Sequence, residues 1–344
     1  MRGYLRIVIL LPNETDDDRR EKPDVNRGVT MLRFILGRLL MALPTIVLVS
    51  VTVFALIRFI PGDPAALMLG DMAQPEQIAA MRTELGLDKS MPQQFVIWAG
   101  DVLRGDFGHS IVNGEAVLPL VASRFVVSAE IVVIAVLLAS LIAVPAGVIA
   151  AWRQNSVTDL ALVGTATVLL SVPTFWLGLL LLLFFGLKLG WLPVLGYVSV
   201  GDNIVGGLLY LVLPVMTLVI HEMGVLIRMA RASTLEVLRL DYITHARAKG
   251  LSESAVLWRH AFKNAFGPTW TMIGLILGNL LGGIAVIETV FTIPGLGRLM
   301  VDSIFARDYP VIQGCLLFVA LSYVAVNLVI DLLYPLFDPR VVAE

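Results

Sequence analysis

Six stretches of this chain, 37–60, 125–151, 160–187, 208–228, 270–287 and 311–336, are long and apolar enough to cross a lipid bilayer as helices. A helix rising about 1.5 Å per residue needs roughly 20 apolar residues to cross a hydrocarbon core of about 30 Å. Composition agrees: hydrophobic residues make up 58% of the chain and charged ones 15%, against roughly 45–50% and about 25% in soluble domains. The fold class expected is therefore an all-α integral membrane protein with six transmembrane helices. The 27 acids and 25 bases leave a net charge of −2, which gives no bulk basic character for nucleic acid. Cys315 is the single cysteine, so no internal disulfide and no multi-cysteine metal site is available.

The third stretch is long for one crossing and contains Pro173. Proline removes a backbone donor and clashes with the preceding turn, which predicts one kinked or tilted helix rather than two spans. Pro44, Pro145 and Pro214 fall in or near other spans, where neighbouring helices can satisfy the freed carbonyls. Arg and Lys set the orientation, because they are retained on the cytoplasmic side. With the amino terminus inside, the inner segments (1–38, Arg153, 228–263 and Arg340) hold 17 of them and the outer segments hold 7. Both termini are expected in the cytoplasm. Residues 1–30 pair a short apolar stretch with a mixed-charge run and show no cleavage site between them. They are expected to be a disordered extension, or to reflect a start assigned upstream of Met31.

Between the first two spans, residues 61–124 carry eight acids and four bases. Pro75 and Gly86, then Pro92 and Gly105, sit where prolines open and glycines close helices. A small external subdomain is expected there, either a connecting lid or a docking surface for a soluble partner. On the opposite side, residues 228–269 carry seven bases against Glu236, Asp241 and Glu253, a formal +4. Asp241 can cap a short helix through Ala248, and Gly250 can supply the left-handed residue that ends it. Ser252 can cap a second helix, which Gly267 and Pro268 are expected to terminate. Two short helices about a glycine turn make a compact knob at the membrane face. Its basic residues would equally suit anionic headgroups.

Chemistry in the chain itself finds little support. A zinc-protease helix needs His-Glu-x-x-His, and here His221 and Glu222 lack the second histidine. No Gly-Lys dipeptide occurs, so the phosphate-cradling loop of nucleotide hydrolases is missing. Gly295-Leu296-Gly297 reads as a loop turn, and His109-Ser110 as a solvent-exposed turn. The chain is not expected to be an enzyme or to hold a cofactor or metal. Glu130, Glu288, Asn327 and Asp331 lie near span ends, while His221 and Glu222 in the fourth span are candidates to line a pathway or to bond between helices. Gly274, Gly278 and Gly282 recur at every fourth residue of the fifth span and form a groove expected to receive another helix, with another subunit favoured as its source.

The run 241–251, Asp-Tyr-Ile-Thr-His-Ala-Arg-Ala-Lys-Gly-Leu, followed by Arg259-His260-Ala261-Phe262-Lys263-Asn264-Ala265, resembles the "EAA" loop of binding-protein-dependent ABC importer permeases. It is most similar to the dipeptide and oligopeptide branch. Supporting matches are Arg58-Phe59-Ile60-Pro61-Gly62-Asp63-Pro64, Leu103-Arg104-Gly105-Asp106-Phe107-Gly108, and Glu288-Thr289-Val290-Phe291 with Pro294-Gly295-Leu296-Gly297. The resemblance implies a permease domain over 31–344 of the type I importer kind, in a bacterial inner membrane. It also implies that Asp241, Tyr242, Ala246, Arg247, Ala248, Lys249, Gly250, Leu251 and Arg259 seat in a groove of a separate ATP-hydrolysing subunit. Arg247, Lys249 and Arg259 would pair there with acids. The partners implied are two ATP-binding subunits, a paralogous second permease, an external solute-binding protein and the bilayer. The cargo implied is a di- or oligopeptide, with nickel, glutathione or another small solute as alternatives.

Two other classes compete. A secondary transporter would show inverted repeats and midplane carboxylates, whereas most acids here lie near span ends. An intramembrane hydrolase would need a paired nucleophile and base or two buried aspartates, and Asp331 is the one aspartate within an apolar run.

Overall fold

The structure, a computed structural model, describes residues 25–59, 65–66, 74–84 and 86–337. The first 24 residues of the expected amino-terminal extension, and residues 60–64 of the first supporting motif, lie outside the described residues. The first helix, α1, is Val25–Phe59 and takes in residues 25–30 of that extension. Two short helices follow, α2 (Pro75–Glu84) and α3 (Met91–Leu103). The span helices are α4 (Val117–Trp152), α5 (Val157–Ser171) with α6 (Thr174–Leu181, continued as a wide π-turn through Lys188), and α7 (Ile204–Leu238). The knob helix α8 (Asp241–Ala248) precedes α9 (Glu253–Gly283), then α10 (Ala285–Val290), α11 (Leu296–Ala306) and α12 (Tyr309–Leu333).

Among the described residues, five helices are long and apolar enough to span a bilayer singly, and α5 with α6 forms a sixth crossing when the bent pair is taken as one span. The break is sharper than the expected kink or tilt. The two halves meet at 96°, because Pro173 forces the residue before it out of the helical region; Val172 is extended at φ −88°, ψ 123°. Pro44, Pro145 and Pro214 stay inside their helices. The expected stop at Gly267 and Pro268 does not occur, and the helix begun at Ser252 runs on into the fifth span.

Small residues set how closely the helices approach. A Cβ added to Gly147 of α4 would stand 2.6 Å from the Ile227 carbonyl oxygen of α7, so these two helices touch backbone to backbone. The α9 stripe is likewise filled, but by the chain's own last helix rather than another subunit. Gly274 lies against Ile330, a Cβ on Gly278 would meet the Tyr323 ring at 2.7 Å, and one on Gly282 would meet Val319 at 3.5 Å. Trp270 adds a hydrogen bond from its indole Nε1 to the Ile330 carbonyl at 3.1 Å. At the far end of α1, Arg38 pairs with Asp331 of α12 at 3.0 Å.

In the subdomain, Pro75 opens α2 and Gly86 follows it in the left-handed region at φ +63°, both as read from the sequence. Ser110 is not in a solvent-exposed turn: it is buried and donates to Asp308 at the foot of α12, whose other oxygen accepts from the Ile111 amide at 3.1 Å. This pair closes the subdomain onto the bundle.

Candidate functional site

The knob is built where α7 leaves the bundle. Leu240 turns the chain out and Asp241 begins α8, placing an acid in the first turn where the helix dipole favours it. Ile243 and Ala246 face inward and pack with Val237, Val256, Ala261 and Ala265 into a small core of their own. Gly250 follows at φ +78° and nothing lies within 4 Å of where its Cβ would be. The glycine is therefore required by the backbone rather than by crowding. Ser252 then accepts from the Ala255 amide at 3.4 Å and starts α9.

Two polar contacts lock the turn. Arg247 makes a two-pronged pair with Glu253 at 2.9 and 3.1 Å. One of the three cations expected to meet a partner's acids is thus engaged within the chain. Asn264 donates through Nδ2 to the Tyr242 hydroxyl at 2.8 Å and to the His260 carbonyl at 3.2 Å. Asn264 belongs to the second quoted run, but reading the sequence gave it no role; its spacing from Tyr242 becomes meaningful only when α8 folds back on α9. Asp241, Tyr242, Ala248, Lys249, Leu251 and Arg259 are all exposed. With Leu240 and Trp258 they form a mixed apolar and cationic surface. In water such a surface is the mark of an interaction site.

Behind the knob, α7 is continuous from Ile204 to Leu238. Arg231 on it grips Asp159, the first acid of α5, through Nε at 2.6 Å and a second nitrogen at 2.8 Å. Asp159 also accepts from the Asn155 amide at 2.9 Å. The bridge ties the knob-side half of the broken span to the helix that carries the knob.

His221 and Glu222 sit further along α7 and do not face one another. Thr217 on one side of α7 approaches Gly178 of α6, while Gly224 approaches Ala166 and Leu170 of α5. His221 lies between them on that side, which sets it opposite the break at Pro173. Its Nδ1 is buried, with no hydrogen-bond partner among the described residues. Glu222 is 7% exposed. At the opposite end of the bundle, Glu288 is fully buried, accepting from the Ser128 hydroxyl and from the Arg298 amide at 2.8 Å. It lies directly against Gly295, so the Pro294 to Gly297 turn is moulded around a carboxylate. Near it Tyr197 reaches Glu130 at 3.3 Å, and burial together with that carboxylate raises the phenol above its usual range.

Comparison with known proteins bears on most of the chain. The family described as "Binding-protein-dependent transport system inner membrane component" matches residues 143–343, and the N-terminal component of the same system matches 31–141. A probable peptide ABC transporter permease protein of Sinorhizobium fredii is 42% identical over 90% of this chain and 98% of its own length. A dipeptide transport system permease protein of Alkalihalophilus pseudofirmus is 38% identical over 90% and 99%. A glutathione transport system permease protein of Escherichia coli K12 is 41% identical over 90% and 99%.

Proposed function

Because this chain belongs to the family of binding-protein-dependent inner-membrane transport components, we propose that it forms a permease subunit of an ATP-driven importer that moves di- or oligopeptides across the bacterial inner membrane. The peptide assignment is supported by the names of its relatives, among them a peptide and a dipeptide permease. The Escherichia coli relative favours a second cargo, glutathione. An importer of this family works with ATP-hydrolysing and substrate-binding components. Within that frame the knob end of the bundle is cytoplasmic, as are both termini, and the subdomain end meets the binding protein. A paralogous second permease and two ATP-binding subunits complete the assembly. This chain hydrolyses no nucleotide itself.

The observation that carries the reading is the knob: a pre-folded turn, braced by Arg247 with Glu253 and Asn264 with Tyr242, presenting Lys249, Leu251, Trp258 and Arg259 outward. Closure of the ATP-binding subunits displaces the knob, and α7 carries the displacement into the bundle. The Asp159–Arg231 bridge takes α5 with it, and the break at Pro173 lets α5 move without α6. His221, opposite that break, and Glu222 then change their surroundings as the pathway opens to one face and closes to the other. A cysteine in place of Lys249 tests the seat directly. In the assembled transporter it cross-links to an ATP-binding subunit, and the yield changes between ATP-bound and nucleotide-free states. A residue that stays freely labelled in both states refutes the seat.

A further inference from the structure

The subdomain helix α3 is amphipathic in the wrong sense for water. Its inward side holds Gln94, which donates to the Lys89 carbonyl at 2.9 Å and accepts from Arg58 Nε at 3.0 Å. Phe95 and Trp98 also point inward and stack on Phe54 of α1, with centroids 5.5 and 5.6 Å away. Its outward side exposes four apolar residues, Met91, Val96, Ile97 and Leu103, at 51%, 68%, 42% and 89%, beside the polar Gln93 and an Asp101 side chain 45% exposed. Pro92, Gln93, Val96 and Ile97 line a shallow groove of about 500 Å³ together with Lys89. At about 1.5 Å per residue this helix is far too short to span a bilayer.

We infer that α3 lies in the headgroup region of the leaflet on its own side and binds phospholipid through this outward face. Three observations select lipid as the occupant. The helix is seated on Phe54, five residues before α1 ends at Phe59, which places it beside the end of the first span. Val51 of α1, about one turn before Phe54, is exposed on that span, so apolar surface of a membrane helix lies beside the seat of α3. Lys89 precedes the helix, placing a cation at that end where phosphates lie, while Arg104 at the other end pairs with Asp101 at 3.5 Å; Trp98 sits at the depth of the aromatic belt. The external subdomain is then anchored to the membrane at α3 and to the bundle at Ser110 and Asp308, leaving its acidic remainder free to face a soluble partner. This inference goes beyond the transport reading and does not depend on the cargo or on which side is cytoplasmic.

The test uses the assembled transporter in phosphatidylcholine nanodiscs, with a fluorophore on Ile97→Cys and, as a water-facing control, on Glu76→Cys in α2. Cys315 is fully buried and does not compete for label. Replacing the lipid with its brominated counterpart is expected to remove about half of the emission at position 97 and less than about a tenth at position 76, as for a shallow interfacial helix. Iodide in the buffer should quench the two in the opposite order. Quenching of position 97 by iodide and not by bromolipid overturns the inference. So does protection from both quenchers, which means that the second permease covers the face, or protection that arises only when the binding protein is added. Peptide uptake by both labelled variants, measured in parallel, shows whether the transport reading stands independently.

Discussion

Arg231 holds Asp159 through two nitrogens at 2.6 and 2.8 Å, across 72 positions of sequence. The Asp159 side chain is 6% exposed and that of Arg231 25%, so removing either partner strands a charge in a poorly solvated site. For Arg231→Met, the expected loss is about 2–3 kcal/mol of stability, below the full cost of breaking a buried pair because Arg231 keeps some water. Thermal unfolding in detergent measures it. Exchanging the two residues should recover only part, since an arginine at 159 cannot accept from the Asn155 amide.

The glycines of α9 separate into crowded and tolerant positions. A methyl at 278 would stand 2.7 Å from the Tyr323 ring, whereas one at 282 would make an ordinary 3.5 Å contact with Val319. Gly278→Ala is expected to destabilise by about 1–3 kcal/mol through overpacking against α12. Gly282→Ala should stay within about 0.5 kcal/mol of the parent. Equal effects at the two positions would show that α12 does not fill the stripe.

Removing the Asn264 amide takes a donor from Tyr242. The expected cost of Asn264→Ala is about 0.5–1.5 kcal/mol, felt in the knob and not in the bundle. Hydrogen exchange should therefore quicken at the amides of Asp241–Ala248 while the amides of α4 and α7 keep their protection.

Gly250 separates backbone from contact. Because nothing lies within 4 Å of its Cβ position, Gly250→Val acts only through the left-handed backbone, at about 1–2 kcal/mol. Membrane insertion should be unchanged and ATP-dependent peptide uptake should be lost. Gly250→Asn, whose side chain tolerates that conformation, should keep most of the uptake. Normal uptake by the valine variant would detach the knob turn from transport.

Local chemistry was legible in the sequence wherever one or two residues decide the outcome. Pro75, Gly86, Gly250 and Ser252 open or close the helices expected of them, and the apolar runs mark the crossings. Relations set by packing were not legible. Nothing in a linear reading links Asp159 to Arg231, Ser110 to Asp308 or Asn264 to Tyr242. Proline gave opposite results by context. Pro173 breaks its span because Val172 turns extended, while Pro268 stays helical inside α9. The glycine stripe announced a close approach but not its partner, since spacing records the groove and not the helix that fills it.

If this chain is a gate moved by ATP hydrolysed elsewhere, peptide accumulation in proteoliposomes depends on the ATP-binding subunits. Vesicles holding this chain and its permease partner should not concentrate peptide under a proton or sodium gradient. They should do so once the ATP-binding subunits, the binding protein and ATP are supplied. Gradient-driven accumulation by the permeases alone would contradict the account.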